Sequence, residues 1–237
     1  MQNKSQQLVL GLPHREALGR DDFLVASSNS AAVELVDQWP NWPSYAAIII
    51  GPEGSGKTHL LEVWRQRSGA KIFDASALSV DTIPEMFAGG AAAIDNLQVE
   101  TVDERALFHG LNMAKQEKVS LLLTSRLPVS ELHFNIPDLR SRLNALPTIQ
   151  ILPPDDALLR GVLVKLFADR QITINEGIVS YILLRMPRSL GAARNLVSEI
   201  DKLAFIEKAE MTKALIARVL VKIVEPDLFT MPDKSFT

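Results

Sequence analysis

The sequence predicts an α/β protein in which a parallel β-sheet with helices on both faces is followed by a small all-α domain. Short apolar runs, rich in β-branched or small residues, alternate with amphipathic stretches up to about residue 152, as in parallel sheets. A glycine-rich loop separates the first of these runs from a helical stretch. After Pro153 and Pro154, four helical stretches follow without an intervening strand.

Composition limits the class of protein. The 237 residues can hold one α/β domain and a smaller one, and 47% apolar with 22% charged residues is ordinary for a globular protein. The absence of cysteine excludes a disulfide framework and a thiolate metal site. No apolar run reaches the roughly 18 to 20 residues of a membrane span, and the N-terminus lacks a secretory pattern. We therefore expect a cytoplasmic protein that does not enter a membrane.

The formal net charge of −3 hides an uneven distribution. Residues 1–138 carry 11 basic and 17 acidic side chains, whereas residues 139–222 carry 13 basic and 8 acidic ones. The basic second part is either an ordinary solvated helical surface or a surface that faces phosphates or an acidic partner.

The first site prediction is a phosphate loop at residues 51–58, which read GPEGSGKT and fit G-x-x-x-x-G-K-[ST]. A buried strand is expected before it at residues 46–50 and a helix after it at residues 59–67, so backbone N–H groups and the helix dipole would face phosphate oxygens. Lys57 would reach the β- and γ-phosphates, and the Thr58 hydroxyl would bind Mg²⁺. A glycine-rich turn without a ligand is the alternative. The predicted nucleotide contacts are Gly51, Pro52, Gly54, Ser55, Gly56, Lys57, Thr58 and His59.

The remaining elements follow from periodicity and from capping and turn residues. Ser27 to Ser30 are expected to cap a helix over residues 31–39. Further strands are predicted at residues 71–74, 91–96, 120–126 and 148–152, and helices at residues 80–87 and 104–117. The four helices of the all-α domain are predicted at residues 156–170, 175–185, 189–209 and 212–224, the last three capped by Asn175, Ser189 and Thr212.

Two strands end in residues suited to nucleotide chemistry. Asp95 ends the apolar run at residues 91–96 and is the candidate for a Mg²⁺ contact. Thr124 or Ser125 would hydrogen-bond the γ-phosphate or its water, because ligands of open α/β sheets bind at the carboxyl ends of the strands. Asn96 and Leu97 follow Asp95 and cannot act as a base, so we expect slow intrinsic hydrolysis.

The N-terminal residues contain a small apolar cluster. Leu8, Leu10 and Leu12 alternate behind Gln7, and Pro13 ends the run. This segment is either a first β-strand packed on the protein's own domain or an extended peptide that docks on a partner through alternate side chains.

In motif order the chain resembles AAA+ ATPases, with a phosphate loop, a Walker B acid at Asp95, a sensor at Thr124, an arginine finger and a helical lid. The finger segment Leu139–Leu143 matches the S-R-L signature of the bacterial initiator DnaA and its relatives, which assigns Arg142 and leaves Arg140 as the alternative. Residues 186–194 are similar to their sensor 2 helix, in which Arg188 would contact the nucleotide. The implied organisation is a tail at 1–19, an AAA+ domain at 20–153, a lid at 154–224 and a tail at 225–237.

Two departures from the initiator refine this resemblance. The residues after 224 are too few for its helix-turn-helix domain, and Gln7 to Leu12 resemble the peptide that binds the replicative sliding clamp. This layout is similar to that of DnaA-related regulators that inactivate the initiator. It implies ADP or ATP with Mg²⁺ as cofactors, DnaA and the sliding clamp as partners, DNA contact only through the clamp, and Arg142 as a finger in trans. It also allows a homo-oligomer. The rivals are a helicase- or clamp-loading AAA+ subunit and a non-catalytic clamp-binding adaptor.

Overall fold

The computed structural model describes residues 23–207 and 211–224, and the predicted clamp peptide and C-terminal tail lie outside these ranges. Five strands form one sheet in the order β2-β3-β4-β1-β5, and every pair of neighbours is parallel. The strands are β1 (Ala46–Ile50), β2 (Lys71–Asp74), β3 (Ala91–Leu97), β4 (Ser120–Ser125) and β5 (Thr148–Gln150). Because the strands are parallel, their carboxyl ends form a common edge, and β1 with its phosphate loop lies between β4 and β5.

Helices cover both faces of the sheet and continue beyond it, so the predicted fold class is confirmed. Short 3₁₀ turns lie at Ala75–Ala77, Val80–Thr82 and Val129–Glu131. The α-helices of the described residues are α1 (Ser30–Gln38), α2 (Lys57–Ser68), α3 (Ile83–Phe87), α4 (Glu104–Glu117), α5 (Pro137–Asn144), α6 (Asp156–Ala168), α7 (Glu176–Leu183), α8 (Leu190–Glu207) and α9 (Lys213–Val224).

The alternation of side chains along the central strands gives the sheet two cores. Ile48 and Ile50 of β1 face a cluster that includes residues of α3, α4 and α5, whereas Ile49 faces the opposite cluster with residues of α1 and α2. Trp64 of α2 is fully buried in this second cluster. All five residues of β1 are buried, which explains why its sequence is apolar without alternation.

Helices α6 to α9 surround a third core of their own, with Phe167 and Ile200 fully buried in it. The three predicted caps are confirmed. Asn175 Oδ1 accepts a hydrogen bond from the Ile178 N–H at 3.0 Å, Ser189 Oγ accepts one from Ala192 at 3.0 Å, and Thr212 Oγ1 accepts one from Leu215 at 3.3 Å.

Some element boundaries differ from the predictions for local reasons. The helix predicted at residues 80–87 begins as the 3₁₀ turn Val80–Thr82. The fifth strand is shorter than predicted because the Leu152 N–H donates to the Ser28 carbonyl at 2.9 Å, outside the sheet. Asn29 does not cap α1 with its side chain; instead its Oδ1 accepts from the Ala26 N–H at 2.9 Å. Helix α5, at residues 137–144, was not predicted from the sequence.

Among the described residues, none of the helices combines the length and the apolar character that crossing a membrane requires.

Candidate functional site

The phosphate loop joins β1 to α2 and has the tight backbone that its glycines predict. Gly54 has φ +69° and Gly56 has φ +99°, a left-handed region that favours glycine. A Cβ added at Gly51 would lie 2.9 Å from Ser55 Oγ and 3.1 Å from Ile151 Cβ. The loop therefore requires glycine at all three positions, and its closed curve leads directly into the first turn of α2, where an anion is favoured.

Lys57 is the buried cation of this loop. Its Nζ donates to the carbonyl oxygens of Gly51 at 2.7 Å and Pro52 at 2.9 Å. Burial lowers the pKa of Lys57; the Asp95 charge raises it, and the Arg126 charge lowers it further. The ammonium group thus lies inside the loop with carbonyl partners only, which is a position suited to a phosphate anion.

Asp95, at the carboxyl end of β3, connects the phosphate loop with β4. Its Oδ2 accepts a hydrogen bond from Thr58 Oγ1 at 2.7 Å, and its Oδ1 accepts one from Thr124 Oγ1. The Asn96 N–H donates to Asp95 Oδ1 at 3.0 Å and to Thr124 Oγ1 at 2.9 Å. Three residues that the sequence placed in one site, from three different elements, are therefore in direct contact.

The residues present fit a nucleotide with Mg²⁺. A hydroxyl and a carboxylate that could hold the metal lie 2.7 Å apart at Thr58 and Asp95, and Mg²⁺ is usually bound by one or two carboxylates together with substrate phosphates. Among the described residues, no group of three or more His, Cys, Asp or Glu side chains is placed to hold a metal ion. When bound, Mg²⁺ would neutralise phosphate charge beside Thr58 and Asp95.

Asn96 occupies the position after Asp95 in a fixed conformation. Its φ is +59°, and its Oδ1 accepts a hydrogen bond from Gln98 Nε2 at 2.7 Å. Ser76 lowers the pKa of the neighbouring Asp74, and the Asn96 side chain lowers it to a smaller extent. An amide in this position cannot accept a proton from water as a carboxylate would.

A cavity of about 300 Å³ lies over these groups. This volume is at the low end for ligand sites and suits phosphates better than a whole nucleotide. Its lining contains two cationic and three acidic side chains, a formal excess of one negative charge before any metal binds. The lining residues are Glu53, Gly54, Lys57, Thr58, Asp74, Asp95, Asn96 and Arg126.

The N-terminus of α8 rests directly on the phosphate loop. The Gly191 N–H donates to the Gly54 carbonyl at 3.2 Å, and a Cβ on Gly54 would come within 2.8 Å of the Gly191 nitrogen. Leu190 and Phe23 lie against Gly56. The all-α part of the chain is thus in backbone contact with the loop that would hold the phosphates.

Six of the nine predicted nucleotide contacts are not among the residues that line the cavity, namely Gly51, Pro52, Ser55 and Gly56 of the loop, together with His59 and Arg188. Arg188 is an exposed lid residue whose Nη2 donates to Asp156 Oδ1 at 2.6 Å. The His59 ring is buried and packs edge-on against Phe23, with ring centroids 5.0 Å apart. Their contact with a nucleotide stays a prediction.

Arg142 lies on α5 and is not among the described residues that line the cavity. Its Nε donates to Asp138 Oδ2 at 3.1 Å, its guanidinium lies 5.1 Å from the Phe108 ring centroid, and its side chain is 31% exposed. Burial raises the pKa of the Tyr45 hydroxyl, and the Arg142 charge opposes that shift. Arg140, on the same helix, is exposed.

Three residues of the site were not assigned to it from the sequence, namely Glu53, Asp74 and Gly191, whereas Arg126 was expected at the ligand-binding edge of the sheet but without a specific role. Asp74 lies at the carboxyl end of β2 and Arg126 directly follows β4, so a position at a strand end is the signal that indicates both. Glu53 is a variable position of the phosphate motif. Gly191 carries no local signal, because its role depends on the packing of α8 against the loop.

The parallel sheet with β1 between β4 and β5, the phosphate loop, and the contact between Thr58 and Asp95 together define a P-loop fold of the AAA+ type. Comparison with solved structures agrees with this fold. Domain III of the Thermotoga maritima replication initiation protein DnaA superposes with a TM-score of 0.75 at 17% identity, over 88% of this chain and 98% of that one. The structure of AMPPCP-bound DnaA from Aquifex aeolicus matches with a TM-score of 0.63 at 21% identity, over 79% of this chain and 65% of that one.

In sequence, too, the chain is similar to DnaA proteins. The chromosomal replication initiator DnaA of Lachnoclostridium phytofermentans is 23% identical in an alignment that covers 87% of this chain and 52% of that protein. The DnaA of Cutibacterium acnes is 23% identical over 87% of this chain and 46% of that protein. The chain thus spans about half the length of the curated relatives it matches. No family model matches it.

Proposed function

We propose that this chain is a negative regulator of DNA replication initiation of the Hda type. It is tethered to the sliding clamp, binds ADP or ATP with Mg²⁺, and stimulates ATP hydrolysis by the initiator DnaA. The observation that carries the proposal is that Arg142 does not line the chain's own nucleotide cavity, since an arginine that is not used there can serve a neighbouring molecule's nucleotide.

The chain's own site is suited to holding a nucleotide and poorly suited to hydrolysing one. Lys57, Thr58 and Asp95 supply a buried cation and a metal position, and AMPPCP is bound by a DnaA of the same fold. Asn96 supplies no carboxylate for the attacking water. The nucleotide's role would then be structural, because the loop that holds its phosphates also supports α8 through Gly54 and Gly191.

Arg142 is held loosely enough to be transferred to a partner. Its ion-pair partner Asp138 lies one turn earlier on the same helix, and both side chains are in contact with solvent. Ion pairs of this kind contribute only about 0.3 to 0.5 kcal/mol to stability. The guanidinium would leave Asp138 for the γ-phosphate of ATP on DnaA, where it would stabilise the charge that develops in the transition state. An arginine supplied in trans raises hydrolysis by about 10³- to 10⁵-fold in other nucleotide hydrolases.

The tethering step uses Gln7, Leu8, Leu10 and Leu12, which would bind the clamp as an extended peptide. DNA is then reached through the clamp, which places the protein in the cytoplasm at the nucleoid. This step fits the charge of the chain, which is −3 overall and does not favour bulk binding to DNA.

The test is phosphate release from ATP-loaded DnaA mixed with the purified chain, with and without clamp-loaded DNA. We expect strong stimulation that requires the clamp and is lost in Arg142→Ala. Arg140→Ala is the matched control, because Arg140 is exposed on the same helix, and it should keep the stimulation. Full stimulation by the Arg142→Ala protein would refute the assignment, and a loss confined to Arg140→Ala would transfer the role to that residue.

The same assay separates the rival functions. Tight binding to DNA in the absence of the clamp would favour a helicase- or clamp-loading subunit. Clamp binding that survives Lys57→Ala, together with stimulation that survives Arg142→Ala, would favour an adaptor in which the N-terminal peptide does all the targeting.

A further inference from the structure

An ion pair crosses the entrance of the nucleotide cavity. Arg126 is the first residue after β4, two positions beyond Thr124, and its Nη1 donates to Glu53 Oε2 at 2.8 Å. Glu53 belongs to the phosphate loop itself. The two side chains are 47% and 76% exposed, and an ion pair this exposed is weak enough for a ligand to replace it.

The charges around the cavity give Arg126 a distinct position. The other lining cation, Lys57, is buried and donates to two backbone carbonyls. Arg126 stands at the solvent side, close enough for its charge to act on Lys57. A nucleotide whose inner phosphates lie in the glycine loop over Lys57 would therefore extend its outermost phosphate toward the entrance, where Glu53 and Arg126 meet.

We propose that Arg126 binds the terminal phosphate of a nucleoside triphosphate in this chain's own site, and that Glu53 competes with that phosphate for the guanidinium. A diphosphate leaves the pair between Glu53 and Arg126 intact. A triphosphate must displace the Glu53 carboxylate and also bring its own negative charge beside it. Glu53 and Arg126 therefore set the preference of the site for ADP over ATP.

The guanidinium group suits this role. Arginine binds phosphate through two parallel N–H donors and remains charged at all relevant pH values. A carboxylate oxygen accepts from the same donors, as Glu53 Oε2 does from Arg126 Nη1 at 2.8 Å, so Glu53 and a terminal phosphate compete for one guanidinium. The inference rests on the proposed binding of adenine nucleotide, and it assigns to that site two residues that select the phosphate number.

The test is equilibrium binding of ADP and of ATP, each with Mg²⁺, to the whole chain by isothermal titration calorimetry. Arg126→Gln should weaken ATP binding by about 10- to 100-fold, the usual value of a hydrogen bond to a charged group, and change ADP binding by less than about threefold. Glu53→Gln should strengthen ATP binding by about tenfold and leave ADP binding nearly unchanged.

The matched control is Glu85→Gln. Glu85 pairs with Lys71 at 3.0 Å, and the exposed fractions of these two side chains are close to those of Glu53 and Arg126. Neither Glu85 nor Lys71 lines the cavity. This variant should alter neither affinity. Thermal unfolding of all three variants should match that of the wild type, because each substitution is at an exposed side chain.

The outcomes distinguish the inference from the function beneath it. A wild-type chain that binds neither ADP nor ATP contradicts the proposed function. A wild-type chain that binds both, with the ratio of ATP to ADP affinity unchanged in Arg126→Gln and Glu53→Gln, overturns the inference and leaves nucleotide binding intact. An equal loss of both affinities in the two variants also overturns it, since it would show that the pair only supports the loop.

Discussion

The contact between the phosphate loop and α8 leads to the sharpest stability prediction, for the substitution Gly54→Ala. Gly54 has φ +69°, and an added Cβ would lie 2.8 Å from the Gly191 nitrogen and 3.0 Å from its Cα. Both neighbours are backbone atoms, so no side chain can rotate away. The loop and the N-terminus of α8 would have to move apart, and the hydrogen bond from Gly191 to Gly54 would be lost.

Two costs add to the expected effect. A non-glycine residue in the left-handed region costs about 1 kcal/mol, and the loss of a backbone hydrogen bond costs about another 1 kcal/mol. Including the packing lost between Leu190 and the loop, we expect the free energy of unfolding to fall by about 2 to 3 kcal/mol. We also expect weaker binding of ADP, because the loop proposed to hold the phosphates would be displaced.

Gly90→Ala provides a control that isolates the steric term. Gly90 has φ +76° but no atom within 4 Å of its Cβ position, so it should lose only the backbone term of about 1 kcal/mol. Gly191→Ala supplies the reverse case. A Cβ at Gly191 would lie 3.2 Å from Gly54 Cα, but Gly191 does not have a left-handed backbone. Alanine also favours the helix over glycine by about 1 kcal/mol, so the net change in the free energy of unfolding should be small.

The assay is urea denaturation followed by circular dichroism, with ADP affinity measured on the same samples. We expect Gly54→Ala to be less stable than Gly90→Ala by at least about 1 kcal/mol. Of these two variants, only Gly54→Ala should lose ADP affinity. If the two variants unfold at the same urea concentration and bind ADP equally well, the contact between the loop and α8 contributes nothing to stability or binding.

Two further predictions concern the core and the pH dependence. Trp64 is fully buried, with the Trp42 ring stacked at 5.2 Å and the Trp39 ring edge-on at 6.2 Å. We therefore expect Trp64→Ala to lower the free energy of unfolding, measured by urea denaturation, by about 3 to 5 kcal/mol. A loss below about 1 kcal/mol would mean that this cluster is not part of the stable core. The hydroxyl and backbone N–H of Ser76 lower the pKa of Asp74 below its ordinary value of 3.8. The charged carboxylate therefore stabilises the folded protein fully above pH 3.8, and this stabilisation is lost as the pH falls through the lower pKa of the folded state. Asp74→Asn should flatten the dependence of stability on pH in this acidic range, and an unchanged profile from thermal melts at several pH values would contradict the assignment.

Features that depend on residues close together in the chain could be predicted from the sequence. The glycines of the phosphate loop, the strand at Ala46–Ile50 and the helix caps at Asn175, Ser189 and Thr212 were all predictable, because each follows from backbone freedom, burial pattern or a hydrogen bond that spans three residues. The motif order also indicated the AAA+ fold and the candidate acid Asp95. These are local signals, and the tertiary structure did not change them.

Contacts between residues far apart in the chain could not be predicted, because they depend on the folded arrangement of strands and helices. The pairing of Glu53 with Arg126 spans 73 positions, and the contact of Gly54 with Gly191 depends on how α8 packs against the loop. Arg188 pairs with Asp156 at the lid surface, outside the cavity lining, although its motif indicates a nucleotide contact. Such contacts arise from the order of parallel strands and from helix packing, and no residue type specifies its partner across that distance.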